Sequence, residues 1–196
     1  QTLRVLLDID VGTKRTGVAH DGAEAMYRSI DSEPYLTASG FHIYDGHEHH
    51  ADLQQRAAAA QGHIDKANEL AAKLQRQGMS VERLVAGNTF TFAYYARAAG
   101  YHGSPGACVY WDANYDSVAD DMPFRWAVAV LTQVVDRHPQ HQTVTTDLGI
   151  KAVPADSDIS HRARILGPDG WQLLRQNEEH GVFHCPGVLP KVGDYL

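Results

Sequence analysis

The chain of 196 residues holds only two cysteines, Cys108 and Cys185. Two thiols cannot build a disulfide framework, so a reducing compartment is expected. Long apolar runs are missing as well; none approaches the ~20 residues of a membrane span. Basic residues are in the minority, 17 Lys and Arg against 24 Asp and Glu, for a formal charge of −7. That balance argues against nucleic acid as a main partner, because phosphate backbones are met by a net basic face. There is no internal repeat and no low-complexity tract; the alanines from Ala57 to Ala60 are only a small-residue patch. No signal- or transit-peptide pattern opens the sequence, and a cytoplasmic location is expected. What is present is 43% hydrophobic and 21% charged, a globular composition. The length suits one large domain, or one compact domain and part of a second. Histidine, at twelve, is the residue in excess.

Both ends read as cut. Gln1 leads almost at once into an apolar run, and after the turn at Gly193-Asp194 the last two residues read as the start of a new strand. Self-contained domains usually begin and end on surface residues, so an internal segment of a longer protein is expected. The first part alternates strand and helix. The run over 4–10, RVLLDID, suits a strand buried on both faces. A helix over 22–30, closed by Pro34, precedes a strand over 38–44. Leu53, Ala57, Ala60, Ile64, Ala67, Ala71 and Leu74 recur at three-four spacing, which predicts an amphipathic helix over 53–77. Asp52 is its N-cap, Gln55 completes a capping box and Gly78 ends it. A strand over 83–86, a short helix over 92–99 and a strand over 107–111 follow. The order β-α-β-α-β-α-β predicts a parallel sheet with helices outside it. Four strands cannot close a barrel, but they make half of an eight-stranded one.

After about residue 121 the pattern changes. Alternation from Trp126 to Val134 predicts a long strand, and residues 143–147 another. The stretches 162–166 and 171–176, about Gly167-Pro168-Asp169-Gly170, predict a hairpin. The expected fold class is therefore α/β, with part of a (β/α)8 barrel over 1–121. A mostly antiparallel β domain, incomplete at its C-terminus, is expected over 122–196.

Ligands of parallel α/β folds bind beyond the carboxyl ends of the strands, so the residues after each strand matter most. After the first, Gly12 and Gly17 bracket Arg15: either a fixed cation for an anionic ligand or a solvated turn. After the second comes His42-Ile43-Tyr44-Asp45-Gly46-His47-Glu48-His49-His50. Alternation puts His42 and Tyr44 on one side, and Gly46 lets His47 turn back to the strand mouth. These side chains are candidates for a metal site or for lining a polar organic ligand; the plain alternative is a His-rich loop. Glu48, His49 and His50 lead into the helix and read as ordinary loop. Gly87-Asn88-Thr89-Phe90-Thr91 opens a helix, and Gly103-Ser104-Pro105-Gly106 stands before the expected fourth strand. Two glycine turns on neighbouring strands suggest one phosphate cup, with threonine hydroxyls as added donors. Lys151 is a candidate amine nucleophile, with a solvated or ion-paired lysine the more ordinary reading. His184 and Cys185 are adjacent and face opposite sides of a strand, a poor chelate.

In order along the chain, these pieces resemble the D-threonine aldolase and D-serine dehydratase group. Asp8-Ile9-Asp10-Val11-Gly12 with Arg15-Thr16-Gly17-Val18 resembles its DxDxGxxRxGV stretch, and Gly40 to His47 its GLHxYDGH segment. Ser104-Pro105-Gly106 through Asp112 resembles PGTxVxxD, Asp147 to Ala152 resembles DxGxKA, and Glu178-Glu179-His180-Gly181 resembles EEHG. The resemblance implies an alanine racemase-like architecture: an eight-stranded barrel that carries pyridoxal 5'-phosphate, followed by a β domain. Residues 1–121 would be the C-terminal half of that barrel. It further implies that Arg15 lies beside the phenolic oxygen of the cofactor, that His42, Tyr44 and His47 line the ring and substrate side, and that Gly87, Thr89 and Gly106 hold the phosphate. The turn departs from the group's GGTPT-like pattern, having lost the second glycine and the proline. By the same resemblance, the Schiff-base lysine would precede Gln1 and the metal motif, His-x-Cys or His-x-Asp, would follow Leu196. Lys151 and Cys185 match neither.

The activity so implied is that of a lyase on D-β-hydroxy amino acids, assisted by a divalent metal (Mn, Mg or Zn). Aldolase cleavage to glycine and an aldehyde is the main expectation, with His47 as base or as partner of a metal-held water. A dehydratase is the runner-up, and a non-catalytic pyridoxal phosphate carrier a further rival that would not need residues 122–196. A metal-dependent hydrolase built on the histidines of 42–50 would need more His or Asp after the third and fourth strands, where Gly-Asn-Thr and Ser-Pro-Gly stand. A homodimer acting on a small-molecule D-amino acid is expected, with neither nucleic acid nor membrane as partner. The segment alone, without that lysine and that metal motif, should be inactive.

Overall fold

A computed structural model of the chain describes residues 2–167 and 169–196. It divides into two compact units, Gln1–Cys108 and Val109–Leu196. No helix among the described residues is long and apolar enough to cross a membrane.

The first unit runs β1 (Leu3–Asp10), β2 (Val18–Ala19), α1 (Ala23–Asp31), β3 (Leu36–Ile43), α2 (Leu53–Arg76), β4 (Arg83–Ala86), α3 (Phe92–Arg97) and β5 (Tyr101–Gly103). All its strand pairs are parallel, in the order β2-β1-β3-β4-β5. The expected parallel sheet is therefore present, with its first three predicted strands and the long helix within a few residues of their predicted places. Asp52 caps α2 by accepting from the Gln55 amide at 2.8 Å. At the other end the Met79 amide reaches back to the Leu74 carbonyl at 3.1 Å around Gly78, whose φ is +83°, a left-handed stop. From Ala60 to Leu74 the apolar stripe of α2 is buried as predicted. Its first turn differs: Leu53 is half exposed and Arg56 is fully buried. The Arg56 guanidinium goes inward because it donates to the carbonyls of His50 and Ala51 and stacks on Phe90.

The strand predicted over 107–111 is not one. The last strand of the sheet is β5, where Tyr101 pairs with Leu84 and Gly103 with Ala86, while Ala107–Val109 forms a 3₁₀ turn. Tyr101 fixes this register: its ring is buried, and its hydroxyl donates to the Ile64 carbonyl and Asn68 of α2. Gly103-Ser104-Pro105-Gly106 thus follows a strand instead of preceding one, and joins the carboxyl-end row of turns.

The second unit contains α4 (Ala113–Val118), β6 (Val134–His138), β7 (Thr143–Thr146), α5 (Ile159–Arg162), β8 (Gln172–Gln176) and β9 (Gly181–His184). Its strands form an antiparallel sheet, β6-β7-β9-β8. The long strand predicted from Trp126 shortens to β6: Val128, Val130 and Leu131 are exposed and pair with no strand among the described residues. Ladder bonds begin only at Thr132 and Val134, which exchange backbone hydrogen bonds with Leu196, Asp194 and Gly193. The predicted hairpin is also re-partnered. Residues 159–162 are helical, β8 pairs with β9, and the chain turns at Asn177, whose amide donates to the His180 carbonyl at 2.8 Å. Leu173 faces Phe183 in the core of that pair. Pro168 of the predicted turn lies outside the described residues.

Candidate functional site at the carboxyl ends of the parallel strands

In β3, Phe41 and Ile43 face the core, so alternation turns His42 and then Tyr44 the other way. His42 Nδ1 lies 2.8 Å from Asp8 Oδ1 on β1, which fixes the imidazole. After β1, the Asp10 carboxylate gathers the loop by accepting from the amides of Gly12 and Lys14 at 2.9 and 3.0 Å. Those two bonds hold the Asp10 carboxyl below the usual carboxylate range. The loop then brings the Arg15 guanidinium over the Tyr44 ring, 4.7 Å from its centroid. Gly46 lets the chain double back here: a Cβ on it would stand 2.5 Å from the Tyr44 ring.

The turns after β4 and β5 are bonded to each other. Ser104 Oγ donates to the Gly87 carbonyl at 3.0 Å, and the Ala107 amide donates to Thr89 Oγ1 at 3.2 Å. Gly87 has φ +93°, a Cβ there would lie 2.8 Å from Phe92 Cα, and its own amide donates to the Ile43 carbonyl. The amides of Thr89 and Gly106 have no hydrogen-bond partner among the described residues. Arg15 thus stands after β1, His42 and Tyr44 at the carboxyl end of β3, and Gly87, Thr89 and Gly106 after β4 and β5, along one edge of one sheet.

The sequence reading had passed over two carboxylates on the loop between β3 and α2. Asp45 is fully buried. It accepts from the Asn88 amide at 2.9 Å, the Asn88 side chain at 3.0 Å, the Thr91 hydroxyl at 2.8 Å and the Tyr95 hydroxyl at 3.0 Å. Burial, and then the Asp45 charge, push the Tyr95 phenol well above its ordinary pKa, so it stays a donor. Glu48, taken for ordinary loop, sits among three imidazoles. Its Oε1 is 3.2 Å from His47 Nε2 and 3.3 Å from His63 Nε2, and its Oε2 is 2.7 Å from His50 Nε2. Burial alone would raise this carboxyl, but the hydrogen bonds from His50 and His63 and the nearby imidazole charges outweigh it and hold it low. The His47 ring stands against Gly12 and is tilted toward His63 of α2.

In the second unit, Lys151 is paired with Glu179 at 2.7 Å and Glu178 at 3.4 Å, which raises its ammonium pKa and keeps it charged. The motifs around Asp147 and Glu178 clasp each other: the amides of Ile150 and Lys151 donate to the carbonyls of Asn177 and Glu178. Gly149 is required there, because a Cβ would stand 2.0 Å from the Glu178 carbonyl oxygen. Cys185 is buried in the core and burial pushes its thiol up to about 11. A cavity of about 690 Å³ in this unit is mostly apolar, lined by Trp111, Trp126, Leu148, Ile165 and Leu196 among others. A small one of about 90 Å³ in the first unit touches Asp10, His20 and His63. Neither is lined by Arg15, His42, Tyr44, Gly87, Thr89 or Gly106.

A parallel α/β unit with a polar, cation-bearing strand edge, joined in sequence to an antiparallel β unit, defines an alanine racemase-like fold. The chain belongs to the alanine racemase N-terminal domain family, whose model matches residues 1–114. A second family model, that of a putative serine dehydratase domain, matches residues 127–196. Among solved structures, D-threonine aldolase from Filomicrobium marinum is similar at 26% identity with a TM-score of 0.88, over 99% of this chain and 54% of that one. An alanine racemase-like protein from Idiomarina loihiensis is 18% identical with a TM-score of 0.78, over 100% of this chain and 56% of that one. D-threo-3-hydroxyaspartate dehydratase from Delftia sp. HT23 is 19% identical with a TM-score of 0.73, over 93% of this chain and 52% of that one. This chain thus spans about half the length of the solved structures it matches. No curated protein sequence matches it. The resemblance drawn from the sequence motifs is borne out at the level of family and fold.

Proposed function

We propose that this chain carries the cofactor-holding part of a pyridoxal phosphate-dependent lyase for D-configured β-hydroxy amino acids, with D-threonine aldolase cleavage as the main reading. One observation carries it. The turns after β4 and β5 are tied through Thr89 and Ala107, and each leaves an amide, Thr89 or Gly106, without a partner among the described residues. Unpaired backbone N–H groups in adjacent turns fit a phosphate. Gly87 spends its own amide on Ile43, so its share in the cup is the left-handed turn.

Bound pyridoxal phosphate supplies an electron sink for the pair released at Cα. The residues of this chain do the rest. Arg15, braced on Tyr44, meets the negative phenolic oxygen. His42, oriented by Asp8, and Tyr44 bound the ring and substrate side. His47 receives the proton of the β-hydroxyl, as the base itself or as the partner of a water. The metal motif implied by the resemblance has no counterpart in this chain. A homodimer working on a small D-amino acid in the cytoplasm completes the reading. The likeness to a D-threonine aldolase supports cleavage over elimination. The match of residues 127–196 to a putative serine dehydratase domain favours the second reading, a dehydratase.

Full-length protein mixed with pyridoxal phosphate is expected to retain a visible absorption band through dialysis. Thr89→Val and Arg15→Ala are each expected to weaken retention on the order of tenfold, the equivalent of one charge-assisted or buried hydrogen bond. With D-threonine, glycine and acetaldehyde should appear; pyruvate from D-serine in their place would move the assignment to the dehydratase. A protein that retains no chromophore at all would end the cofactor reading.

A further inference from the structure

We propose that His47, Glu48 and His63 form a divalent-metal site, suited to Zn²⁺, between the loop after β3 and helix α2. It is separate from the metal motif that the family resemblance implies, and it does not rest on the pyridoxal phosphate reading.

The donor geometry argues for an ion. Zinc holds imidazole nitrogen and carboxylate oxygen at about 2.0–2.2 Å in a tetrahedron, which sets neighbouring donors roughly 3.3–3.5 Å apart. His47 Nε2 and His63 Nε2 lie 3.2 and 3.3 Å from the same oxygen, Glu48 Oε1. No two of the three donor atoms are more than 4.8 Å apart. Two edges of the coordination polyhedron already have nearly the required length, and the third is no longer than 4.8 Å.

The donor chemistry agrees. Two imidazoles and one carboxylate are a zinc set that leaves a fourth position for water, and imidazole nitrogen prefers Zn²⁺ over Mg²⁺ or Ca²⁺. The surroundings supply what a metal ligand needs from its own neighbours. Glu48 Oε2 is fixed by His50 Nε2 at 2.7 Å, so Oε1 is aimed. The backbone of Glu48 is held at both groups: its amide donates to the Asp45 carbonyl at 2.8 Å, and its carbonyl accepts from Asn88 at 3.3 Å. His63 comes from the middle of α2 with its side chain only 11% exposed. His47 is seated where Gly12 removes the obstacle; a Cβ on Gly12 would stand 2.4 Å from Nε2. His47 Nδ1 is buried without a partner, so the ring is anchored only through the nitrogen that faces Glu48 and His63. An ion on Nε2 takes that nitrogen out of service as a base, and selects for His47 the role of partner to a water.

The test reads metal uptake and needs neither cofactor nor turnover. Full-length protein stripped with a chelator is titrated with Zn²⁺ against a chromophoric competitor. Wild type is expected to take up one equivalent more than Glu48→Gln and one more than His63→Ala, with both variants folded by circular dichroism. His50→Ala should keep the site and weaken it by about 10- to 100-fold, the usual effect of losing a neighbour that orients a ligand. X-ray absorption of the zinc in wild type should show two imidazoles and a carboxylate oxygen. Equal uptake by wild type and the folded variants overturns the proposal. If both variants lose their fold, the absorption spectrum decides: a zinc shell without two imidazoles, or no uptake by wild type, also overturns it. Loss of the site with a retained pyridoxal chromophore would leave the function reading standing; the converse would leave the site standing.

Discussion

Asp45 and Glu48 share one loop and meet opposite surroundings. Every group that donates to the Asp45 side chain is neutral: an amide, an Asn side chain and two hydroxyls. The Glu48 carboxylate meets the imidazoles of His47, His50 and His63. Asp45 has no contact with solvent, while the Glu48 side chain is 15% exposed. A buried carboxylate is tolerated only if its oxygens are satisfied, and all the donors to Asp45 come from the stretch after β4. That carboxylate is thus the knot between two neighbouring strand ends. Glu48 is ringed by imidazoles, groups that can bind metal. One loop therefore carries a fixed point and a responsive point side by side, the arrangement a site needs if its frame is to stay still while its chemistry changes.

The comparison breaks most visibly at Asp45. Asp45→Ala strands the Thr91 and Tyr95 hydroxyls in the interior, while the Asn88 amide keeps Thr91 Oγ1 at 3.0 Å. A buried donor left unpaired costs about 1–3 kcal/mol, so a loss of ~3 kcal/mol or more is expected in urea unfolding. Asp45→Asn keeps the shape but turns one acceptor into a donor facing donors, and about 2 kcal/mol should go. The same variants should loosen pyridoxal phosphate retention, because the turn at Thr89 is held from Asn88. A loss below ~0.5 kcal/mol in Asp45→Asn would mean that the knot is not structural.

The legibility of these two carboxylates in the sequence was equally uneven. Helix α2 and β3 were readable because burial there follows a long regular period, and the rule that ligands gather after parallel strands put Arg15, His42, Tyr44, Gly87 and Thr89 in one row. Glu48 was not readable as more than loop, since His63 reaches it from 15 positions on, across a loop and nearly three turns of helix. Asp45 depends on Asn88, 43 positions away. Nothing local marks either pairing. The strand at Tyr101 was missed for the opposite reason: residues 107–111 look more apolar, but the hydrogen-bond ladder of β4 runs along Tyr101–Gly103. In the second unit, β8 takes its partner from beyond the next turn, at β9, and the apolar alternation from Trp126 lines a cavity instead of a sheet. A period shows which face of a segment is apolar, and not what covers it.

A smaller effect sharpens the comparison at Glu48. Its carboxyl is held below the ordinary range in the folded protein. A depressed carboxyl pKa contributes stability that is present above the unfolded value and is lost as pH falls through the folded one. The stability gap between wild type and Glu48→Gln should therefore be present above the usual glutamate range and close as the solution is acidified through and below it. Urea midpoints of both proteins over a pH series check this. A gap that widens on acidification would mean that the imidazoles repel one another more than Glu48 attracts them.

The smallest expected effect is at Lys151, which serves as the exposed control for both carboxylates. It has two carboxylate partners, Glu178 and Glu179, at distances as short as those around Glu48, but all three side chains are more than half exposed. Water screens such a pair, and holding long side chains in place offsets most of the attraction. Its ammonium pKa is raised by Glu179 and then Glu178, so whatever the pair contributes is present below the ordinary lysine value and fades as pH rises through the folded one. Lys151→Ala should leave the urea midpoint unchanged within error at neutral pH, and added salt should erase any residue of a difference. The clasp beneath it runs through backbone amides and carbonyls and through Gly149, which the substitution does not touch. A clear loss of stability in Lys151→Ala would show that distance alone, without burial, sets the strength of these pairs, and the contrast drawn between Asp45 and Glu48 would lose its physical basis.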